Sequence, residues 1–159
     1  MGKIILITVL LLAVGCDKLD SQIKKEPSPA HGYTHRLKVG NRTLLVEIVK
    51  TPAAMQQGLS ARNKMDDSQG MFFDFGKDVS VSPGFWMKDM KFNLDIIWVH
   101  QNKIVGITAE VQAPTKNLNV KIENLPLYYP PSPVDSVLEV KAGWAKKNNV
   151  KLGDVVELK

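Results

Sequence analysis

Cysteine is nearly missing from this chain: there is one in 159 residues, Cys16. With no second thiol, no intrachain disulfide can form, so any fold must stand on its apolar core. Aromatic residues are sparse at 7%, and the net charge of +5 is spread along the chain. A dedicated nucleic-acid binder would show a dense basic stripe with interleaved base-stacking aromatics, so DNA and RNA are not expected partners. There is no Gly-rich phosphate loop, no HExxH, no CxxC and no Gly-x-Ser-x-Gly elbow. The pattern calls for no cofactor and no metal. His31 and His35 lie four apart, but Gly32-Tyr33-Thr34 between them reads as extended chain. Four residues of strand span about 13 Å, too far for two rings to share an ion. His100 is expected to be exposed at a hairpin end.

The apolar run Ile4 to Val14 falls short of the roughly 20 residues that cross a bilayer. Lys3 before it and Gly15-Cys16 after it complete a secretion signal. The end of this segment resembles the lipobox of bacterial lipoproteins, with Ala13 where Leu is usual. The resemblance implies that residues 1–15 are a lipoprotein signal peptide and that Cys16 is diacylated and becomes the new N-terminus. The lipid on Cys16 would tie the protein to a membrane, since each buried methylene contributes about 0.8 kcal/mol and two chains anchor stably. Asp17 implies retention at the outer face of the cytoplasmic membrane, or placement in the outer membrane where that rule does not hold. Residues 16–31, polar and carrying Pro27 and Pro29, read as a flexible tether.

Residues 32–159 are expected to form a single domain. Arg36 to Val39 and Thr43 to Val49 alternate as two strands about the Gly40-Asn41 turn. Thr51-Pro52 is a helix start and Gly58 its stop. Gly70 to Phe75 reads as a strand, and Phe85 onward as another extended stretch. Leu94 to Val99 and Lys103 to Val111 make an antiparallel hairpin about Gln101-Asn102. Five of the nine prolines fall between residues 112 and 134, a segment that cannot lie inside a sheet. Ser136 to Val140, a short helix from Ala142 to Asn149 and a last strand from Val155 to Leu158 close the chain. The expected fold is mainly β, a single-domain sandwich or partly closed barrel with two short helices.

A few residues are not easily explained by packing. Asp95 sits in a strand that is apolar on both faces, and a buried carboxylate needs a partner. Arg62, Lys88 and turn amides are the candidates. Glu139 repeats the pattern between Leu138 and Val140. In Phe85-Trp86-Met87-Lys88, alternation places Trp86 and Lys88 on one face, as an indole beside a cation. That arrangement serves recognition of sugars and carboxylates, and it also serves plain packing.

Gly58-Leu59-Ser60-Ala61-Arg62, Gly70-Met71-Phe72-Phe73-Asp74-Phe75, Trp86-Met87-Lys88 with Leu94-Asp95-Ile96, and Val137-Leu138-Glu139 with Gly153-Asp154 occur in that order. Together they resemble the domain-of-unknown-function 192 family over about residues 36 to 158. The resemblance implies a mainly β single domain and no particular reaction. Ser60 stands where Met is common, and Asp89-Met90 where Asn-Thr is usual. Three functions remain open. In the first, Arg62, Trp86, Lys88, Asp95 and Glu139 line a cleft for a small polar or anionic ligand such as a glycan fragment. In the second, Asp95 and Glu139 act as a hydrolytic carboxylate pair, with the carboxyls about 5 to 9.5 Å apart. In the third, the same residues only hold the fold of a structural or interaction protein of the cell envelope.

Overall fold

The alternating run from His35 to Val49 folds back on itself as β1 (His35–Val39) and β2 (Arg42–Val49). In the computed structural model, which describes residues 32–114 and 124–159, seven strands follow from this start. They are β1, β2, β3 (Gln69–Asp74), β4 (Leu94–His100), β5 (Lys103–Val111), β6 (Ser136–Lys141) and β7 (Val156–Leu158). The signal segment, Cys16, the tether and His31 lie outside the described residues.

The strands form one sheet in the order β5-β4-β6-β3-β2-β1-β7. Every pairing is antiparallel except β2 with β3. A parallel neighbour requires a crossover, and the crossover here carries α1 (Pro52–Gln57). Thr51 caps α1 by accepting from the Ala54 amide at 3.3 Å, and Pro52 opens it. Gly58 ends it at φ 48° and ψ −134°, a conformation open to glycine alone among common residues. The sheet curls until its two ends touch: Lys103 of β5 bridges to Val155, beside β7. The result is the partly closed barrel that the strand pattern implied.

Period-two alternation sorts the core into two clusters. Leu44 and Val46 of β2, Phe72 of β3, Ile97 and Val99 of β4, and Leu138 and Val140 of β6 share one face. Trp144 and Ala145 of α2 (Trp144–Lys147) cover it. Val49, Met71, Phe73, Leu94, Ile96, Trp98 and Val137 share the other. That face is covered by α1, the stretch after it, and the loops before β4 and β6. The expected helix from Ala142 to Asn149 is in fact a single turn, because Gly143 sits at φ 81° before it and Asn149 at φ 54° after it.

Two sequence expectations change in the loops. Phe85 does not begin a strand: it makes one bridge, to Tyr128, and the chain then turns at Asp89, whose φ of 56° breaks the alternation. The proline-rich segment is ordered as a strap over its described residues. Val134 bridges to Val81, and Pro131 packs on Gly106, where any Cβ would come within 2.7 Å of the proline ring.

Asp95 is fully buried, and among the described residues its carboxylate is met by backbone amides alone. Its Oδ1 accepts from the amides of Glu110 at 2.8 Å and Gly143 at 3.0 Å, and its Oδ2 from Ala145 at 2.9 Å. Neither Arg62 nor Lys88 compensates it, contrary to one of the sequence-based options. Glu110 marks an irregularity in the β4–β5 ladder and has φ 53°, a strained conformation for a residue with a Cβ. Asp95 thus binds the irregular turn of β5 to the start of α2. Asp95→Asn removes the charge and points an amide N–H at donors that need an acceptor. Urea unfolding should show a loss on the order of 2 to 4 kcal/mol. Lys88→Ala should stay within about 0.5 kcal/mol of wild type.

Candidate functional site

Glu139 lies at the centre of a row of side chains that the register places on one face of the sheet. Glu47 of β2 is opposite Met71 of β3, Met71 is opposite Glu139 of β6, and Glu139 is opposite Ile96 of β4. Asp95 pairs with Val140 and points to the other face. The two carboxylates therefore stand on opposite sides of one sheet and cannot flank a common bond, which removes the geometry a glycosidase pair needs.

Above Glu139 opens a cleft of about 200 Å³. One wall is the end of α1 and the turn after it, from Met55 to Ser60. The other is the stretch Pro83 to Trp86, with Phe73, Phe75 and Met90 between them. The sequence builds these walls for identifiable reasons. Gly58 turns the chain sharply, so that Leu59 goes into the core at 2% exposure while Ser60 stays at the rim. The Ser60 hydroxyl donates to the Lys88 carbonyl at 2.8 Å, and the Ala61 amide to the Asp89 carbonyl at 2.9 Å. These two bonds clamp the walls to each other. Phe85 stands edge-on to both Phe73 and Trp98, with ring centroids 4.9 and 5.5 Å apart. Such pairs stiffen an apolar wall.

Of the five sequence candidates, Trp86 and Glu139 line the cleft. Lys88 does not; its backbone carbonyl serves the clamp, and alternation failed to place its side chain because the chain turns at Asp89. The Arg62 guanidinium is also outside the lining. Its Nη2 stands 2.9 Å from Glu47 Oε2, an ion pair without the alignment of a hydrogen bond, and its Nη1 donates to the Tyr33 hydroxyl at 3.3 Å. Met55 and Phe75 were not singled out as site residues from the sequence, since an apolar residue on a cleft wall looks like any core residue. Of the departures from the family pattern, Ser60 and Met90 fall on these walls, while Asp89 does not line the cleft.

Glu139 is 5% exposed, and its carboxyl makes no hydrogen bond or ion pair among the described residues. Burial pushes its pKa from 4.5 up to about 8, and the Arg62 charge pulls it down only partly. Arg62 is held over Glu47, and Glu47 is two strand spacings, roughly 10 Å, from Glu139. At neutral pH the cleft floor therefore carries a protonated, neutral carboxylic acid. Elsewhere, Asp135 accepts from the Ser136 hydroxyl at 2.8 Å and faces His100 Nδ1 at 3.4 Å. The Ser136 hydroxyl serves the carboxylate and not the imidazole, so these three residues do not form a nucleophilic triad. His100 is half-buried against Asp135, not exposed as its hairpin position suggested.

The raised pKa has a definite sign in stability. Between the unfolded value of 4.5 and about 8, the folded state holds a proton that the unfolded state has lost. Glu139 should therefore make the fold less stable as pH rises through that window, by up to about 1.4 kcal/mol per unit. The stability difference between Glu139→Gln and wild type, followed by urea unfolding, should grow in favour of the variant across the window and level off above it. A flat difference would show that Glu139 titrates normally.

Comparison with known proteins agrees with this architecture. The chain superimposes on a crystal structure of a protein described as a candidate transcription regulator from Sinorhizobium meliloti 1021. The TM-score is 0.68 at 27% identity, covering 78% of this chain and 92% of that one. It also superimposes on a protein of unknown function from Novosphingobium aromaticivorans DSM 12444, with a TM-score of 0.66 at 25% identity, covering 77% and 83%. No curated protein matches it. The model of one family, described as an uncharacterized ACR, matches residues 35–158. That span takes in every strand and both helices, and the chain belongs to the domain-of-unknown-function 192 family.

Proposed function

We propose that this domain is a small-ligand binding module carried outside the cytoplasm on a lipid-anchored protein. The observation that carries the reading is Glu139. Among the described residues its carboxyl has no partner; such a group in an apolar cleft costs stability, and a fold gains nothing from that cost unless something enters to meet it. The cleft is smaller than the 300 to 1,000 Å³ of typical drug-sized sites, so the ligand is small. The walls are largely apolar with Ser60, Gln56 and Gln57 at the rim, so the ligand has an apolar face to lay against Trp86. A sugar ring meets this requirement with one face only, and a flat heterocycle or short acyl group meets it more fully.

The structural reading keeps a foothold in two of the five candidates. Asp95 is satisfied by three amides, and Arg62 by Glu47 and Tyr33. Both act as fixtures of the fold, and with Lys88 outside the lining, Trp86 and Glu139 are left for the ligand.

A panel of monosaccharides, small heterocycles and short acyl amides, added to isotopically labelled protein, should shift the amide resonances of Gly58 and Gly84 and the Trp86 indole together. Ser60→Trp, which fills the cleft, should abolish those shifts. Shifts scattered over the surface and unchanged by that variant would refute a cleft ligand. The anchoring half of the proposal is separate. Cys16→Ser should move the protein from the membrane fraction to the soluble one and abolish palmitate labelling.

A further inference from the structure

Glu139 is the one ionisable residue among the described residues that line the cleft. Its surroundings decide which ligand groups it can accept. From α1 and its following turn, the residues that line the cleft with it are Met55, Gln56, Gln57, Gly58, Leu59 and Ser60, all uncharged. From the opposite wall come Phe85, Trp86 and Met90, also uncharged. Met71 and Ile96 flank it on the neighbouring strands. Among the described residues, the single charge that bears on it is Arg62, whose side chain is 8% exposed and engaged by Glu47 and Tyr33. The Arg62–Glu47 pair cancels its own charge, so the cleft floor is neutral when Glu139 keeps its proton.

We propose that Glu139 recognises its ligand as a hydrogen-bond donor, taking the carbonyl oxygen of an uncharged amide or ketone on a small, flat, largely apolar molecule. The proposal rests on the cleft being a ligand site and names the chemistry that fits it. An ammonium group would require Glu139 to ionise in an apolar cleft, where both charges lose their water. A carboxylate would have to leave water for a floor that offers one neutral donor, while the guanidinium that could pair with it is held by Glu47 outside the lining. A carbonyl oxygen carries no charge to desolvate and accepts the one proton on offer. The ring or chain that bears it meets Trp86 and Phe75.

Three probes of one shape separate these cases: benzamide, benzoate and benzylamine, titrated into the full chain and followed by the Gly58 and Trp86 resonances. At about pH 7, benzamide should bind about fivefold or more tightly than either charged probe. Its affinity should fall about tenfold or more between about pH 6.5 and about pH 9.5, as Glu139 loses the proton it donates. Glu139→Gln retains an uncharged donor, so its benzamide affinity should stay within about threefold of wild type and lose the pH dependence; Glu139→Leu should weaken binding about tenfold. Tighter binding of benzoate or benzylamine than of benzamide would overturn this inference and leave the binding module standing. So would benzamide binding that ignores pH in the wild type. If none of the three probes, and none of the wider panel, shifts a cleft resonance, the binding module falls and this inference with it. Because Glu139→Gln changes neither size nor neutrality, it keeps the test decisive even where Glu139→Leu fails to fold.

Discussion

The fold hinges on one carboxylate held by backbone amides. Asp95 gathers three backbone amides from two places that are distant in sequence, the irregular turn of β5 and the start of α2. A bond between a charged acceptor and a buried amide is stronger than a neutral one. Here it also fixes geometry, because Glu110 holds a left-handed conformation that its own side chain disfavours. The short α2 has no side-chain cap of its own, and Asp95 supplies the missing acceptor from the neighbouring strand β4. With α2 seated, Trp144 closes one face of the curl, and the strands beneath it can pack as a core.

The division of labour between the two faces follows from this. Period-two alternation sends Asp95 to the closed face and the row containing Glu139 to the other. The closed face is sealed by a helix and complete. The other is covered by the short α1 and by loops, and between them they leave a gap above β6. Buried acids thus have opposite fates one residue apart in register: Asp95 is met by three amides, while Glu139 finds no partner among the described residues and keeps its proton. Arg62, which could have neutralised Glu139, is drawn to Glu47 and the Tyr33 ring, 6.0 Å from its guanidinium carbon. The chemistry of the cleft is set as much by where Arg62 is held as by Glu139 itself.

Much of this was legible in the sequence. The first hairpin, the capped α1, the β4–β5 hairpin and the two faces of β4 all follow from alternation, turn residues and caps, which are local signals. The burial of Asp95 was readable too, since both faces of its strand are apolar, and turn amides were among its foreseen partners. The failures are equally physical. Trp86 and Lys88 were paired by extending an alternation that ends where Asp89 turns left-handed. Asp95 and Glu139 were entertained as one pair because one-dimensional patterning does not say which face of a neighbouring strand shares a groove. Only the register, which sets Glu139 against Ile96 and Val140 against Asp95, separates them. The strap of prolines was read as outside any sheet, which holds, but its packing on Gly106 depends on a contact that no local pattern encodes.

The pairing of the first strand with the last has a mechanical consequence. β1 and β7 run antiparallel, with Leu37 opposite Leu158, and the Lys159 amide donates to the Arg36 carbonyl at 2.9 Å. The two ends of the described domain therefore leave from the same end of one ladder. A load applied between them peels that ladder one hydrogen bond at a time, instead of shearing all its bonds at once. Pulled from both ends, this domain opens as a zipper does, starting at the β1–β7 seam. Pulled from residue 32 with resistance at the cleft, it transmits the force through β1 and β2 into the core.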